Sequence, residues 1–93
     1  MVKKWVYEYG QNTIIIENRW FSGEKMYVNG ELHDESKGIK LSGTLRGKLE
    51  SGEEIKATIG GTFSIGCSLF IDYKLQTPDY ILYPLGITFR KKE

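Results

Sequence analysis

The sequence has one cysteine, one histidine and two prolines in its 93 residues. With a single thiol, Cys67, there can be no internal disulfide and no zinc site built from several cysteines. With a single imidazole, His33, paired-histidine metal sites are excluded and the acid–base options of an enzyme narrow sharply. No apolar run approaches the ~20 residues that a membrane helix needs. Charge of either sign is not in excess: thirteen Lys and Arg stand against twelve Asp and Glu, a formal net charge of +1. That balance gives no strong electrostatic case for DNA, RNA or a membrane surface. Gly43-Thr44-Leu45-Arg46-Gly47-Lys48-Leu49 has the wrong spacing for a phosphate-binding loop and ends in Leu. There is no Gly-x-Ser-x-Gly elbow, no His-Glu-x-x-His pair and no Asn-x-Ser/Thr acceptor. Eleven glycines divide the chain too finely for long helices.

What remains is the composition of a soluble globular chain, 40% hydrophobic and 27% charged, with room for one domain over residues 1–93. Lys3 and Lys4 could open a signal peptide, but Glu8 and Gly10 interrupt its apolar part. A cytoplasmic protein with a reduced Cys67 is therefore expected. The short basic runs Lys3-Lys4 and Arg90-Lys91-Lys92 read as solubilising ends, which would make one small basic patch if the ends meet.

The dominant pattern has a period of two. From Ile39 to Leu49 the odd positions are Ile, Leu, Gly, Leu, Gly, Leu and the even ones are polar. Phe63, Ile65, Cys67, Leu69, Ile71 and Tyr73 form a second such series, and Ile55, Ala57 and Ile59 a third. Successive strand side chains point to opposite faces, so each run predicts one buried and one wet face. Ile14-Ile15-Ile16 is short and β-branched, which also favours a strand. Asn29-Gly30 between Met26-Tyr27-Val28 and Glu31-Leu32-His33 predicts a type I′ hairpin, and Gly60-Gly61 reads the same way. Gly43 and Gly47, inside a strand pattern, point to bulges, bends or a close neighbour. Glu31–Lys37 has no apolar face and reads as solvated. The sum is seven or eight short strands in one antiparallel meander, expected to stack as a small all-β sandwich, with a closed barrel as the alternative.

A weak internal repeat accompanies this pattern. Met26-Tyr27-Val28-Asn29-Gly30-Glu31-Leu32 aligns with Leu69-Phe70-Ile71-Asp72-Tyr73-Lys74-Leu75, and the same offset matches Ile16 with Ile59. Tyr73 stands where the first copy has Gly30, so the second copy is not assured of turning in the same way. The segment Lys25-Met26-Tyr27-Val28-Asn29-Gly30-Glu31 resembles the strand-turn motif of the Fas apoptotic inhibitory molecule family. Ile14-Ile15-Ile16 and Leu69-Phe70-Ile71-Asp72 are loosely similar to that family's strands, over about half the chain. The resemblance implies a non-enzymatic β-sandwich and carries no partner across. The Trp-Met-Phe-Leu-type strand that follows the first turn in that family is missing here.

Chemistry has few places to sit. Adjacent strand residues point to opposite faces, so only alternate members such as Glu31, His33 and Glu35 could converge on a metal; a solvated loop is the plainer reading. Cys67 lies in an apolar series without a basic neighbour in sequence, as a core residue rather than a nucleophile would. Glu50, Glu53 and Glu54 flank Ser51-Gly52 and read as turn solubilisers. No catalytic residue, metal or cofactor is expected, and the chain reads as a non-enzyme. The aromatics, two Trp, six Tyr and four Phe, are more informative. Trp5, Tyr7 and Tyr9 share one strand face, and such faces stack on sugars, bases and peptides or fill cores. Trp20-Phe21 and Leu69-Phe70 place bulky neighbours on both faces of a strand or at a turn. Tyr80-Ile81-Leu82-Tyr83-Pro84-Leu85 is continuously apolar and would cover an end of the sandwich or form an interface. Candidate binding residues are therefore Trp5, Tyr7, Trp20, Phe21, Tyr27, Phe70, Tyr80 and Tyr83. The leading function is a protein-binding or self-associating module. Small-ligand or carbohydrate binding on an aromatic strand face is the alternative, and single-stranded nucleic acid comes last.

Overall fold

Turn chemistry and two-residue alternation produce ten antiparallel strands in the computed structural model, which describes residues 2–20, 22–38, 42–61 and 65–84 and the backbone of 88–90. Strands β1 (Val2–Tyr9), β2 (Asn12–Arg19), β3 (Gly23–Val28) and β4 (Glu31–Lys37) form one meander. Strands β5 (Ser42–Lys48), β6 (Glu54–Gly60), β7 (Gly66–Ile71) and β8 (Lys74–Gln76) form a second. The chain then returns to the first sheet: β9 (Tyr80–Leu82) pairs with β1, and β10 (Thr88–Arg90) pairs with β9. The sheets run β10-β9-β1-β2-β3-β4 and β5-β6-β7-β8 and do not close into a barrel.

Four expectations change. Among the described residues the strands number ten rather than seven or eight, because β8, β9 and β10 are three residues each, too short to show alternation. Tyr80–Leu82 does not cover an end of the sandwich; it extends the first sheet, held where Asp79 N–H donates to Val6 O at 2.8 Å. Glu31–Lys37 is a strand despite its polar face, since backbone pairing with β3 is enough to order it. Gly60-Gly61 is not a two-residue turn, because Gly60 belongs to β6 and pairs with Gly66. Ile39, Leu41, Phe63 and Leu85 lie outside the described residues.

The core is a single cluster between the sheets. Trp5, Tyr7, Ile14, Ile16, Met26 and Val28 come from one side, and Leu45, Leu49, Ile55, Ala57, Ile59, Leu69 and Ile71 from the other. Each large side chain buried this way contributes roughly 1.5–3 kcal/mol. Gly47 lets β5 descend onto the first sheet: a Cβ there would lie 2.8 Å from Met26 Sδ and 3.3 Å from His33 Nδ1. Close approach, not a bend, is the reason for that glycine.

The repeat is real in three dimensions. The meander β1–β4 corresponds to β5–β8, one per sheet, and the second hairpin does turn like the first. Asn29 and Gly30 have φ of 50° and 84°, while Asp72 and Tyr73 have 47° and 65°. Both turns are type I′ by that criterion. Asn29 and Thr13 exchange backbone and side-chain hydrogen bonds at 2.8 Å, and Asp72 and Glu54 repeat the exchange at 2.8 and 2.9 Å. Register moves one equivalence: Ile14 opposes Val28 as Ile55 opposes Ile71, so Ile14 matches Ile55, and the pairing of Ile16 with Ile59 is set aside.

Candidate functional site

Trp5 and Tyr7 form no platform. They point between the sheets and retain 3% and 1% exposure, because their face of β1 is the one the second sheet covers. The Tyr7 hydroxyl donates to Cys67 Sγ at 3.5 Å. Burial pushes the Cys67 thiol up to about 11, outweighing the Tyr7 hydrogen bond and the Lys3 charge, and burial also raises the Tyr7 phenol. A thiol in that state is almost wholly protonated at neutral pH and a poor nucleophile. Lys3 Nζ donates to Ile65 O at 2.7 Å and lies 5.1 Å from the Trp5 ring centroid and 4.7 Å from that of Tyr83. Desolvation lowers its pKa. An aromatic pair that could hold an external cation is thus filled by the protein's own lysine.

The outer face of the six-stranded sheet is ordered in rows by the strand register. Tyr80 opposes Val6, Val6 opposes Ile15, Ile15 opposes Tyr27, and Tyr27 opposes Leu32. Five apolar or aromatic side chains therefore cross the sheet side by side on its solvent face. Leu32 is 49% exposed and the other four are half-buried. The adjacent row alternates in sign: Lys4, Glu17, Lys25 and Glu35 are successive cross-strand partners. Glu17 lies under Lys4 and Arg19, with nitrogen–oxygen distances of 3.4 Å to each. Such pairs contribute little singly, but they fix a pattern. Trp20, half exposed, stands at the β2–β3 turn; Phe21 lies outside the described residues.

The outer face of the four-stranded sheet carries a different arrangement. Arg46, Lys56, Phe70 and Leu75 are successive partners across it. Phe70 faces outward while Leu69 is buried, and Tyr73 projects from the β7–β8 turn with 84% of its surface exposed. The Tyr73 hydroxyl donates to Glu54 Oε2 at 3.1 Å. Arg46, Glu54, Lys56, Phe70 and Tyr73 line a groove of about 300 Å³. Asp34 Oδ2 accepts the Arg46 N–H at 2.8 Å and fixes β5 at that point. Tyr73, Arg46 and Lys56 were not singled out by sequence. The signal for Tyr73 was there in its alignment with Gly30; the two cations become neighbours only through the β5–β6 register.

No group of three His, Cys, Asp or Glu among the described residues could hold a metal. The ladder slips beside His33: Met26 opposes Asp34 and Tyr27 opposes Leu32, leaving His33 as the bulged residue. Glu31 and Glu35 therefore fall on opposite faces, and the alternating trio does not converge. Glu53 accepts from the Ser51 hydroxyl within its own turn. No helix among the described residues is long and apolar enough to cross a membrane. Comparison with protein-family models, with curated proteins and with solved structures gave no match.

Proposed function

We propose that the chain is a non-enzymatic binding module that works as a homodimer, joined through the outer face of its six-stranded sheet. The observation that carries this reading is the pair of rows on that face, one apolar and one alternating in charge. A two-fold axis parallel to the strands and midway between β2 and β3 reverses the order across the sheet. It sets Ile15 against the partner's Tyr27 and Val6 against the partner's Leu32. The same operation sets Lys4 against Glu35 and Glu17 against Lys25, opposite signs throughout. A surface complementary to itself is what an isologous interface requires.

Edge-to-edge pairing is the competing route, and each sheet edge is blunted. β4 carries a bulge and the charges Glu31, Asp34, Glu35 and Lys37, β5 carries Arg46 and Lys48, and β8 and β10 are three residues each. Short, charged and bulged edges resist pairing. The half-buried Cys67, whose thiol pKa desolvation raises, and the single histidine support a role without catalysis.

Light scattering on the eluting protein tests the dimer. A mass of twice 10.7 kDa is expected for the native chain and 10.7 kDa for Ile15→Glu, which puts a charge in the middle of the apolar row without touching the core. Glu17→Lys and Lys25→Glu should each weaken self-association, yet pair with one another when mixed, because reversed order then restores opposite signs. A monomer at high concentration, or a dimer that Ile15→Glu leaves intact, would overturn the reading.

A further inference from the structure

We propose a second, separate binding site in the groove on the outer face of the four-stranded sheet, for a small flat-ring compound that carries a phosphate. The argument starts from a misfit between Tyr73 and its position. Positive φ at the second residue of a type I′ turn suits glycine, and the equivalent hairpin of this chain uses Gly30 there. A bulky residue in that conformation is strained and persists where the surroundings over-determine it. Here they do: Asp72 and Glu54 exchange two hydrogen bonds and clamp the turn. Nothing in the packing repays the strain, since the Tyr73 ring is 84% exposed and its described polar contact is one hydrogen bond to Glu54. A ring held rigidly in solvent at the expense of stability is poised to receive something.

The surroundings define what. Phe70, on the neighbouring strand, offers a second aromatic surface, and two rings lining a groove favour a planar ligand. Arg46 and Lys56 are cross-strand partners on the same face, and neither has a carboxylate within ion-pairing distance among the described residues. Two unneutralised cations side by side recognise a phosphate, the guanidinium through its paired donors. Glu54 sits at the Tyr73 end as an acceptor for hydroxyl or amine groups on the ring portion. The site thus brings donors for a phosphate, aromatic surface and an acceptor together around one groove. A nucleoside monophosphate is the simplest compound with all three parts. One phosphate against two cations also fits a chain of net charge +1, which a polymer of phosphates does not.

Amide chemical-shift titration of the labelled chain tests this with three probes: adenosine monophosphate, adenosine and inorganic phosphate. The expected result is saturable shifts at residues 46–47, 54–56 and 70–73 with the monophosphate, and at least tenfold weaker binding of adenosine and of phosphate alone. Arg46→Gln should weaken the monophosphate about tenfold, a single charge-assisted contact. Tyr73→Gly should weaken it too while leaving the fold at least as stable, which separates lost binding from lost structure. Absence of groove shifts at millimolar monophosphate would overturn the proposal. So would phosphate binding as tightly as the monophosphate, or affinity unchanged in both variants. Titrating Ile15→Glu in parallel keeps this result independent of the dimer, because that residue lies on the opposite face.

Discussion

Substituting Gly47 by alanine adds one methyl group where the two sheets come closest. Its Cβ would lie 2.8 Å from Met26 Sδ, whereas ordinary contact needs roughly 3.5–4.0 Å, so the sulfur must retreat by about 1 Å. Met26 is fully buried and has little space to yield, and overpacking of this kind costs about 1–3 kcal/mol. Against that, alanine is about 0.5–1 kcal/mol better than glycine inside a strand. The balance is a loss of about 1 kcal/mol, or roughly 4–8 °C in Tm for a domain of this size. Thermal and urea unfolding followed by tryptophan fluorescence measure it. The decisive comparison is a double-mutant cycle with Met26→Ala. That change alone should cost about 2–5 kcal/mol, but it removes the sulfur, so Gly47→Ala should become neutral or stabilising in its presence. If Gly47→Ala costs the same in both backgrounds, or stabilises the native chain, close approach to Met26 is not why the glycine is there.

Other changes separate structural from functional residues. Tyr73→Gly should raise Tm by about 2–5 °C, since relief of positive-φ strain exceeds the entropy cost of a new glycine; a fall in Tm would mean that the ring supports its turn. Tyr7→Phe should cost under about 1 kcal/mol, because the hydroxyl lost donates only to a sulfur; a loss above about 2 kcal/mol would make that contact an anchor. Cys67 should contribute an alkaline limb to stability. Its pKa rises from 9.0 to about 11 on folding, so the folded state holds the thiol proton that the unfolded state releases. The contribution is complete below pH 9 and fades toward pH 11. The lowered pKa of Lys3 acts in the opposite sense, so the native chain and Cys67→Ala must be compared over pH 8–11; parallel curves would refute the assignment.

Legibility in the sequence followed the range of the interaction involved. Alternation is local and dictated by burial, so β5, β6 and β7 could be read directly, and Leu45, Ala57 and Leu69 fall on the inner face as their spacing requires. Strands of three residues carry no period, and β8, β9 and β10 went unread for that reason. Glu31–Lys37 shows a different limit: its strand is imposed by pairing with β3, and side-chain pattern is silent about backbone partners. The aromatic ladder at Trp5 and Tyr7 was visible, but whether it faced solvent depended on the second sheet, which no local pattern specifies. Rows across a sheet are harder still. Val6, Ile15, Tyr27, Leu32 and Tyr80 come from five strands, and only the register makes them neighbours.

The internal repeat supplies what an isolated sequence lacks, a second solution to the same folding problem within one chain. At Asn29 and Asp72 the two solutions agree down to the exchanged hydrogen bonds, which marks that position as a requirement of the turn. At Gly30 and Tyr73 they differ, although φ is positive at both. The turn can therefore be made with glycine, and folding gives no reason for a tyrosine. A side chain in a disfavoured conformation, exposed, beside two unneutralised cations, is where function is best sought, because there the demands of stability and the residue present disagree. The outer rows of the six-stranded sheet pass the converse test. Their apolar side chains add nothing to the core, and their charges alternate in an order that a two-fold axis alone makes complementary.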